Sequence, residues 1–183
     1  MRELSLHILD IAENSISAHA DQIKINVTEA LTRDQLWISV RDNGDGMDAE
    51  MVSQVIDPFV TTRTTRKVGL GIPLLKQAAE ACEGWLKIDS EVGKGTNMIA
   101  MFGYSHIDRM PLGDLAGTML TLELGSPEIN FIFRYQVGKD VFFVDDKELK
   151  EILEGVPITN PSVLSYLSGY FRTGIEAIIC PIP

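Results

Sequence analysis

Apolar residues recur along this chain at two spacings, and each spacing predicts a different kind of element. Near the amino terminus they recur at helical spacing and predict a helix over about residues 2–18. Two runs that alternate apolar and polar residues follow, at 23–27 and 36–40, and predict half-buried strands. Polar residues 32–35 separate the runs and predict a turn. We therefore expect the two strands to pair in an antiparallel manner.

The middle of the chain adds two helices and two further strands. A short helix is predicted to begin near Asp48, whose side chain suits an N-cap. A second helix is predicted over about residues 72–83 and is stopped by Gly84. Strands are predicted over 85–88 and 97–102. This mixed order predicts an α+β fold, a two-layer α/β sandwich in which helices back a mixed sheet.

The pattern changes at residues 105–113, where Pro111 and Gly113 interrupt it. We expect residues 1–105 to form one domain and residues 106–183 a small α+β C-terminal extension without a catalytic constellation. The extension is predicted to contain a helix at 115–125, a hairpin of strands 129–133 and 141–144, and helices at 145–153 and 160–171. The sequence leaves open whether the extension folds independently or packs on the first domain. We expect it to bind a partner.

Composition and charge narrow the classes of function. Apolar residues make up 45% and charged residues 23% of the chain, as in soluble globular proteins. The net charge of −10 argues against nonspecific binding to nucleic acid or to an anionic membrane surface. The sequence contains no recognisable signal peptide or apolar stretch that would span a bilayer, so we expect a cytoplasmic protein. Cys82 and Cys180 lack metal-ligand spacing and are expected to be reduced.

The most informative stretch is residues 42–47, Asp-Asn-Gly-Asp-Gly-Met, which directly follows the second predicted strand. It places Asp42 beside Gly44 and Gly46, residues that permit positive φ and let the backbone approach a flat ligand closely. An ordinary polar turn has the same composition, so the stretch alone supports either interpretation. Three further motifs around it favour a nucleotide pocket.

Together the four motifs resemble those of the histidine-kinase-like ATPase superfamily, which includes sensor-kinase catalytic domains, gyrase, the heat-shock chaperone ATPase and the mismatch-repair ATPase. The resemblance covers about residues 1–105 and implies the sandwich fold that the pattern predicts. Each motif is weak alone, but four in the family's order are a strong signal. The matching segments are 9–16 with Ala18 and Ala20 for the N box, 42–47 for the first glycine box, 57–62 for the F box, and 69–72, closed by Gly95 and Thr96, for the second glycine box.

The resemblance implies a pocket for ATP and Mg²⁺. Asn14 would coordinate Mg²⁺ through its side-chain oxygen, while waters and phosphates complete the shell. Asp42 would accept a hydrogen bond from the exocyclic amine of adenine. Thr96 would bond the adenine or its water, although Gly-Lys-Gly-Thr is also an ordinary hairpin sequence. Gly44 and Gly46 would line the same pocket.

The resemblance assigns the phosphates to the second glycine box and to the loop before it. Backbone amides at Gly69, Leu70 and Gly71, with the positive end of the following helix, would contact them. Residues 61–68 are polar and basic, and we expect this loop to become ordered over bound nucleotide. A solvated basic loop is the alternative. The loop side chains assigned to the phosphates are Thr62, Arg63 and Arg66, with Lys67 beside them.

Glu13 is the candidate catalytic residue. Residues 13–16 match the gyrase and mismatch-repair branch most closely, and the match implies that Glu13 activates the attacking water. A solvated helical Glu is the alternative, and some sensor kinases carry Glu here without hydrolysing ATP. Asp10 and Ser17 depart from the kinase pattern. Because the chain begins on the N-box helix, we expect no self-phosphorylation, and His7 is expected to pack or to lie at the surface.

These observations predict an ATP-binding protein that acts in trans on a separate, unidentified protein as a Mg·ATP-dependent kinase or ATPase. The alternative is a nucleotide-gated binding module, in which ATP changes a partner surface with little or no turnover. Phosphate appearing on a partner would favour the first, and tight ATP binding with negligible turnover would favour the second. We expect no nucleic-acid partner, and a homodimer is left open.

Overall fold

The computed structural model describes residues 3–56, 71–153 and 156–179. Helices and strands form in the predicted order within this part of the chain. The helices are α1 (Leu4–Ser17), α2 (Ala49–Ile56), α3 (Gly71–Glu80), α4 (Leu115–Gly125), α5 (Asp146–Ile152) and α6 (Pro161–Ile179), and a 3₁₀ turn occupies Leu31–Arg33. The strands are β1 (Gln22–Ala30), β2 (Gln35–Asp42), β3 (Trp85–Glu91), β4 (Gly95–Gly103), β5 (Asn130–Val137) and β6 (Asp140–Asp145).

The strands form one six-stranded sheet in the order β3-β4-β2-β1-β5-β6. β1 and β2 pair in an antiparallel manner, as predicted, with Ile25 opposite Val40. β4 pairs antiparallel with both β2 and β3, and β5 pairs antiparallel with β6. β1 and β5 are parallel. This mixed sheet, packed against helices, confirms the α+β prediction.

The core lies between the helices and one face of the sheet. Successive strand residues point to opposite faces, so every second residue is buried against the helices. The largest fully buried side chains come from β4, β5 and α6, namely Tyr135, Phe102, Phe131, Phe133 and Phe171. Their partners on α1, α3, α4 and α6 belong to the same cluster of buried side chains. The opposite face of the sheet carries half-buried and exposed residues.

The sheet itself joins the extension to the first part of the chain. β5 lies beside β1 over its full length, from Gln22 opposite Asn130 to Glu29 opposite Val137. A hydrogen bond from Tyr135 Oη to Glu29 Oε1 ties the buried sides of these strands together. The predicted division at residue 105 stays a prediction, because the sheet and the core both run across it.

Local sequence signals set most element ends. Asp48 Oδ1 accepts a hydrogen bond of 2.8 Å from the backbone N–H of Met51 and caps α2, as predicted. α3 ends at Glu80, three residues before the predicted end. The helix is closed there because Glu83 adopts a positive φ of 57° and Gly84 donates its N–H back to Ala79.

Two other expectations from the sequence concern the cysteines and membrane-spanning helices. Cys82 is buried and forms no disulfide within the described part of the chain, and Cys180 lies outside it. Across residues 3–56, 71–153 and 156–179, no helix combines the length and apolar character that crossing a bilayer requires.

Candidate functional site

Asp42 is held rigidly at the end of β2. Its side chain is only 8% exposed. Oδ1 accepts backbone hydrogen bonds of 3.0 Å from both Gly44 and Thr96, and Oδ2 accepts one of 2.7 Å from Ser15 Oγ. A carboxylate offers about four acceptor positions, so one position on Oδ2 is left for a further donor. The three donors come from α1, the glycine motif and β4, and they fix the carboxylate in place.

Glycines allow the backbone segments around Asp42 to approach each other. A Cβ on Gly44 would lie 2.4 Å from the carbonyl oxygen of Ala18, and one on Gly95 would lie 2.2 Å from that of Asp42. Gly46 has a φ of +67°, and a Cβ there would meet the carbonyl of Glu91. The motif is therefore part of a three-way backbone junction, which explains its glycines without a ligand. The polar-turn interpretation captures this much of the structure.

Ser90 organises the other wall of the site. Its Oγ accepts a hydrogen bond of 2.8 Å from the backbone N–H of Met47 and lies 2.9 Å from Thr96 Oγ1. Thr96 thus contributes its backbone N–H to Asp42 and its hydroxyl to Ser90. The β3–β4 hairpin is more than a turn, because it anchors the first glycine motif from the side opposite α1.

Helix α1 contributes side chains of different burial to the site. Ser15 is buried and bonds Asp42, whereas Glu13 and Asn14 are exposed. Asp10 lies one turn before Asn14, and residues four apart share one face of a helix. The Oδ2 atom of Asp10 is buried and has no hydrogen-bond partner in the described part of the chain.

Asp10 lies against the start of α3. A Cβ added to Gly71 would come within 1.5 Å of Asp10 Oδ2, so only glycine fits beside this carboxylate. The structure therefore brings together α1 and Gly71, one of the two residues of the second glycine box that it describes.

His7 is buried beneath the same contact. Burial first, and then the charge of the amino terminus, lower its pKa, while a hydrogen bond with the Gly71 backbone and the charge of Asp10 oppose this effect. The imidazole is therefore neutral at neutral pH. His7 has the packing role that was one of its two predicted roles.

The structure brings Asn14, Asp42, Gly44, Gly46, Gly71 and Thr96 to one end of the sandwich. Sequence reasoning missed Ser15, Ser90 and the placement of Asp10. Only Asp10 had a usable signal, its position four residues before Asn14 on the same helix. Glu13 lies on α1 as predicted, and its side chain forms no hydrogen bond or ion pair with the described residues that would assign it a role. Thr62, Arg63, Arg66, Gly69 and Leu70, and the loop predicted at 61–68, lie outside the described residues.

Residues 2–105 match the family described as histidine kinase-, DNA gyrase B- and HSP90-like ATPase. The chain is 34% identical over 94 residues to sporulation kinase C of Bacillus subtilis, covering 51% of this chain and 22% of that protein. It is 38% identical over 89 residues to sensor protein kinase FleS of Pseudomonas aeruginosa, with coverage of 49% and 22%. The chain spans about a fifth of the length of these relatives.

Two solved structures share the fold at low sequence identity. The MutL ATPase domain of Aquifex aeolicus, complexed with ADP, gives a TM-score of 0.50 at 15% identity and covers 84% of this chain and 68% of its own. The N-terminal domain of a DNA repair protein gives 0.52 at 14%, with 79% and 52% coverage. Because the family match extends over more than half of the sequence and the fold agrees, this chain belongs to the histidine kinase-, DNA gyrase B- and HSP90-like ATPase family.

Proposed function

We propose that this chain binds Mg·ATP between α1, the Asp42 end of the sheet and the start of α3, and uses the nucleotide to act on a separate protein as a kinase or ATPase. The observation that carries the proposal is the Asp42 carboxylate, which is buried, fixed by three neutral donors and retains one acceptor position on Oδ2. The exocyclic amine of adenine has the donor that this position requires. Such a charged hydrogen bond contributes about 1.5–3 kcal/mol.

The phosphates would lie between α1 and α3. The first N–H groups of a helix and its dipole favour bound anions, and Gly71 of the second glycine box is the first residue of α3 that the structure describes. Asp10 already lies there, so phosphates would meet a carboxylate. This arrangement is tolerable if a cation lies between them.

The side chains present fit Mg²⁺. Asn14 is exposed on α1, and the Oδ2 atom of Asp10 is buried without a partner in the described part of the chain. Amide and carboxylate oxygens are hard ligands of the kind that Mg²⁺ prefers. Asn14 and Asp10 would therefore hold the ion from one helix face, and bound Mg²⁺ would neutralise charge on the phosphates.

Kinase and ATPase activity differ in what attacks the terminal phosphate. Glu13 is the base predicted from the sequence, and Asp10 is a second carboxylate on the same helix. Activation of a water by either residue would support hydrolysis, whereas transfer to a partner would need neither as a water-activating base. Sporulation kinase C and FleS are kinases by name, which supports phosphotransfer to a protein.

A nucleotide-gated binding module is the second candidate. Glu13 is exposed and forms no side-chain hydrogen bond with the described residues that would orient it toward a water. A site that binds nucleotide but orients no base would change conformation without efficient turnover.

The experiment uses the full chain in three measurements. Titration calorimetry with Mg·ATP measures binding, a phosphate-release assay measures hydrolysis, and incubation with γ-labelled ATP and a native lysate measures transfer to other proteins. The Asp42→Asn variant is the control in each case. Binding with release or transfer supports the enzyme. Binding without either supports the gated module, and absence of binding contradicts both.

A further inference from the structure

The face of the sheet opposite the core is not covered by any helix that the structure describes. Three rows of side chains, or registers, cross it from β3 to β6, and each register contains one residue from every strand. Apolar side chains remain exposed at both edges, with Trp85 at 38% and Phe143 at 54% exposure. Large exposed apolar groups on a sheet face are typical of interaction surfaces. We call this surface the open face.

Lys24 and Arg41 are directly opposite each other on the two central strands of the sheet, β1 and β2, in an outer one of the three registers. Both side chains are exposed, and neither forms an ion pair in the described part of the chain. Like charges at directly opposed positions destabilise an antiparallel pair. Arg134 adds a third cation one strand further, where it donates to Gln136 Oε1. This concentration of positive charge occurs in a chain whose net charge is −10.

The acidic side chains of the open face are already engaged. Asp89 is 2.9 Å from Lys87, and Glu91 is 2.7 Å from Lys94. Asp145 accepts hydrogen bonds from Asn130 and from the first turn of α5. Lys24, Arg41 and Arg134 therefore lack an acidic partner among the described residues, and Asp145, held by neutral donors, is the one acidic side chain of this face without a cationic partner among them.

Apolar clusters flank the cations on both sides. Trp37 and Trp85 pack edge to face with ring centroids 5.4 Å apart, beside Met101. Ile132 and Phe143 lie on the other side, on β5 and β6. Tryptophan and arginine are the residues most enriched in the energetically dominant parts of protein interfaces. The open face combines both with aliphatic surroundings.

We propose that the open face docks an acidic segment of a separate protein, with carboxylates over Lys24 and Arg41 and apolar side chains over the flanking clusters. This inference rests on the proposed action on a separate protein, and it names the surface and the chemistry of the partner. The net charge of the chain does not forbid such a partner, because salt screens charges beyond about 8 Å, whereas the cations act at contact. The face spans about 24 Å, at about 4.8 Å per strand, which about seven extended residues would cross.

Site-specific photo-cross-linking tests the proposal in the full chain, expressed in its native cell. A photoreactive amino acid replaces Thr28, which lies on the open face between Trp37 and Gln136. The expected product joins Thr28 to an acidic segment of another protein that also carries apolar residues. Cross-linking to a second copy of this chain, to a segment that is not acidic, or to nothing would overturn the proposal.

Charge reversal supplies the specificity control. Lys24→Glu combined with Arg41→Glu should reduce the cross-linked product by about tenfold or more, since each lost charged contact weakens binding severalfold. The matched variant Lys147→Glu with Arg172→Glu reverses two exposed cations on α5 and α6 and should leave the product unchanged. Equal yields from the two double variants would contradict the proposed role of the central cations.

A stability measurement checks the charge argument without a partner. Lys24→Glu replaces a like-charge pair by an opposite-charge pair with Arg41, so Tm should rise by roughly 1–4 °C. A fall in Tm would contradict the inferred cost of the cation pair. Calorimetry with Mg·ATP on the same protein separates the two proposals. If wild type binds ATP but gives no cross-link, the docking proposal for the open face fails. If wild type does not bind ATP, the proposed nucleotide function fails.

Discussion

The two halves of the sheet each bury carboxylates, but they compensate the charge in different ways. In the first half, Asp42 is surrounded by neutral donors, which fix an ionised carboxylate and leave its negative charge in place. In the second half, Glu123 of α4 and Asp146 of α5 are 2% and 1% exposed and face one lysine. Lys150 Nζ lies 2.5 Å from Asp146 Oδ2 and 3.6 Å from Glu123 Oε2.

The buried group of Glu123, Asp146 and Lys150, which we call the Glu123 cluster, depends on a proton as well as on Lys150. Burial, followed by the charge of Asp146, raises the pKa of Glu123 to about 8, and Lys150 only partly opposes this. Glu123 is therefore mostly protonated at neutral pH, so the cluster holds one carboxylate and one ammonium. Apart from the proton that Glu123 itself can donate to Asp146, Glu123 Oε1 and Asp146 Oδ1 have no hydrogen-bond partners in the described part of the chain.

The difference distinguishes a site that can recognise a ligand from one that stabilises the fold. Neutral donors around Asp42 orient its charge without cancelling it, and an acceptor position remains for a ligand donor. The Glu123 cluster cancels its charge internally, so it has little electrostatic attraction to offer. Variants in the second half should therefore change stability, and variants in the first half should change nucleotide handling.

Lys150→Met should have the largest effect. Removing one partner of a buried ion pair costs about 3–5 kcal/mol, because the other charge is left uncompensated. We expect a loss of about 3 kcal/mol in the free energy of unfolding at neutral pH, measured by urea denaturation. Lys147→Met, at an exposed position on the same helix, is the control and should change stability by less than about 0.5 kcal/mol. Similar midpoints for the two variants would show that the cluster does not depend on its cation.

The next largest effect should come from removing the general base, which is either Asp10 or Glu13. Loss of a general base lowers the rate by about 10²–10⁴. Glu13→Ala should reduce phosphate release by about a hundredfold if the prediction from the sequence is right. Asp10→Asn should do so instead if the buried carboxylate beside Gly71 is the base. The true base variant should retain ATP affinity within a few-fold.

Each of these two variants is the control for the other, because each changes one carboxylate of the same helix. A large loss of ATP affinity in Asp10→Asn would assign Asp10 to the Mg²⁺ site. If wild type releases phosphate measurably and neither variant slows it, both base assignments fail and phosphotransfer to a partner becomes the better explanation.

Asp42→Asn should weaken ATP binding by roughly tenfold or more, since a charged hydrogen bond contributes about 1.5–3 kcal/mol. The amide also places a donor where Ser15, Gly44 and Thr96 direct theirs. Titration calorimetry measures the change, and Asp45→Asn is the matched control. Asp45 belongs to the same motif but is exposed, and among the described residues its side chain bonds only the exposed His19 side chain, so the ATP affinity of this variant should stay within about twofold of wild type. Equal affinities for wild type and Asp42→Asn would remove the pocket assignment.

Local patterns predicted the elements of this fold because their causes are local. The alternation at 36–40 is the burial pattern of β2, and Asp48 and Asn160 form hydrogen bonds at the starts of their helices. The order of the strands was not predictable in this way. β5 lies beside β1 although about a hundred residues separate them, and that pairing depends on packing of Phe131 and Phe133 in the shared core.

The candidate site was predictable where a residue type carries its own chemistry. Asp42 and the glycines belong to a recognisable motif. Ser15 and Ser90 carry no such signal, because their roles follow from hydrogen bonds to residues 27 and 43 positions away. The Glu123 cluster was missed for the same reason, since Glu123 and Asp146 meet only when α4 and α5 pack together.

The last expected effect is a slope in the dependence of stability on pH. The folded-state pKa of Glu123 is raised from about 4.5 to about 8, so the native state binds a proton that the unfolded state releases between these values. The stabilising contribution is complete below the unfolded pKa and is lost as pH rises through the folded one. The slope should reach at most about 1.4 kcal/mol per pH unit.

Glu123→Gln should remove this slope, because the amide does not titrate, while Glu128→Gln, at an exposed position nearby, should retain it. Urea denaturation at several pH values between about 5 and 8 measures the three slopes. Parallel curves for wild type and Glu123→Gln would mean that the buried carboxyl is already ionised at neutral pH, and the contrast with Asp42 would then have to rest on the lysine alone.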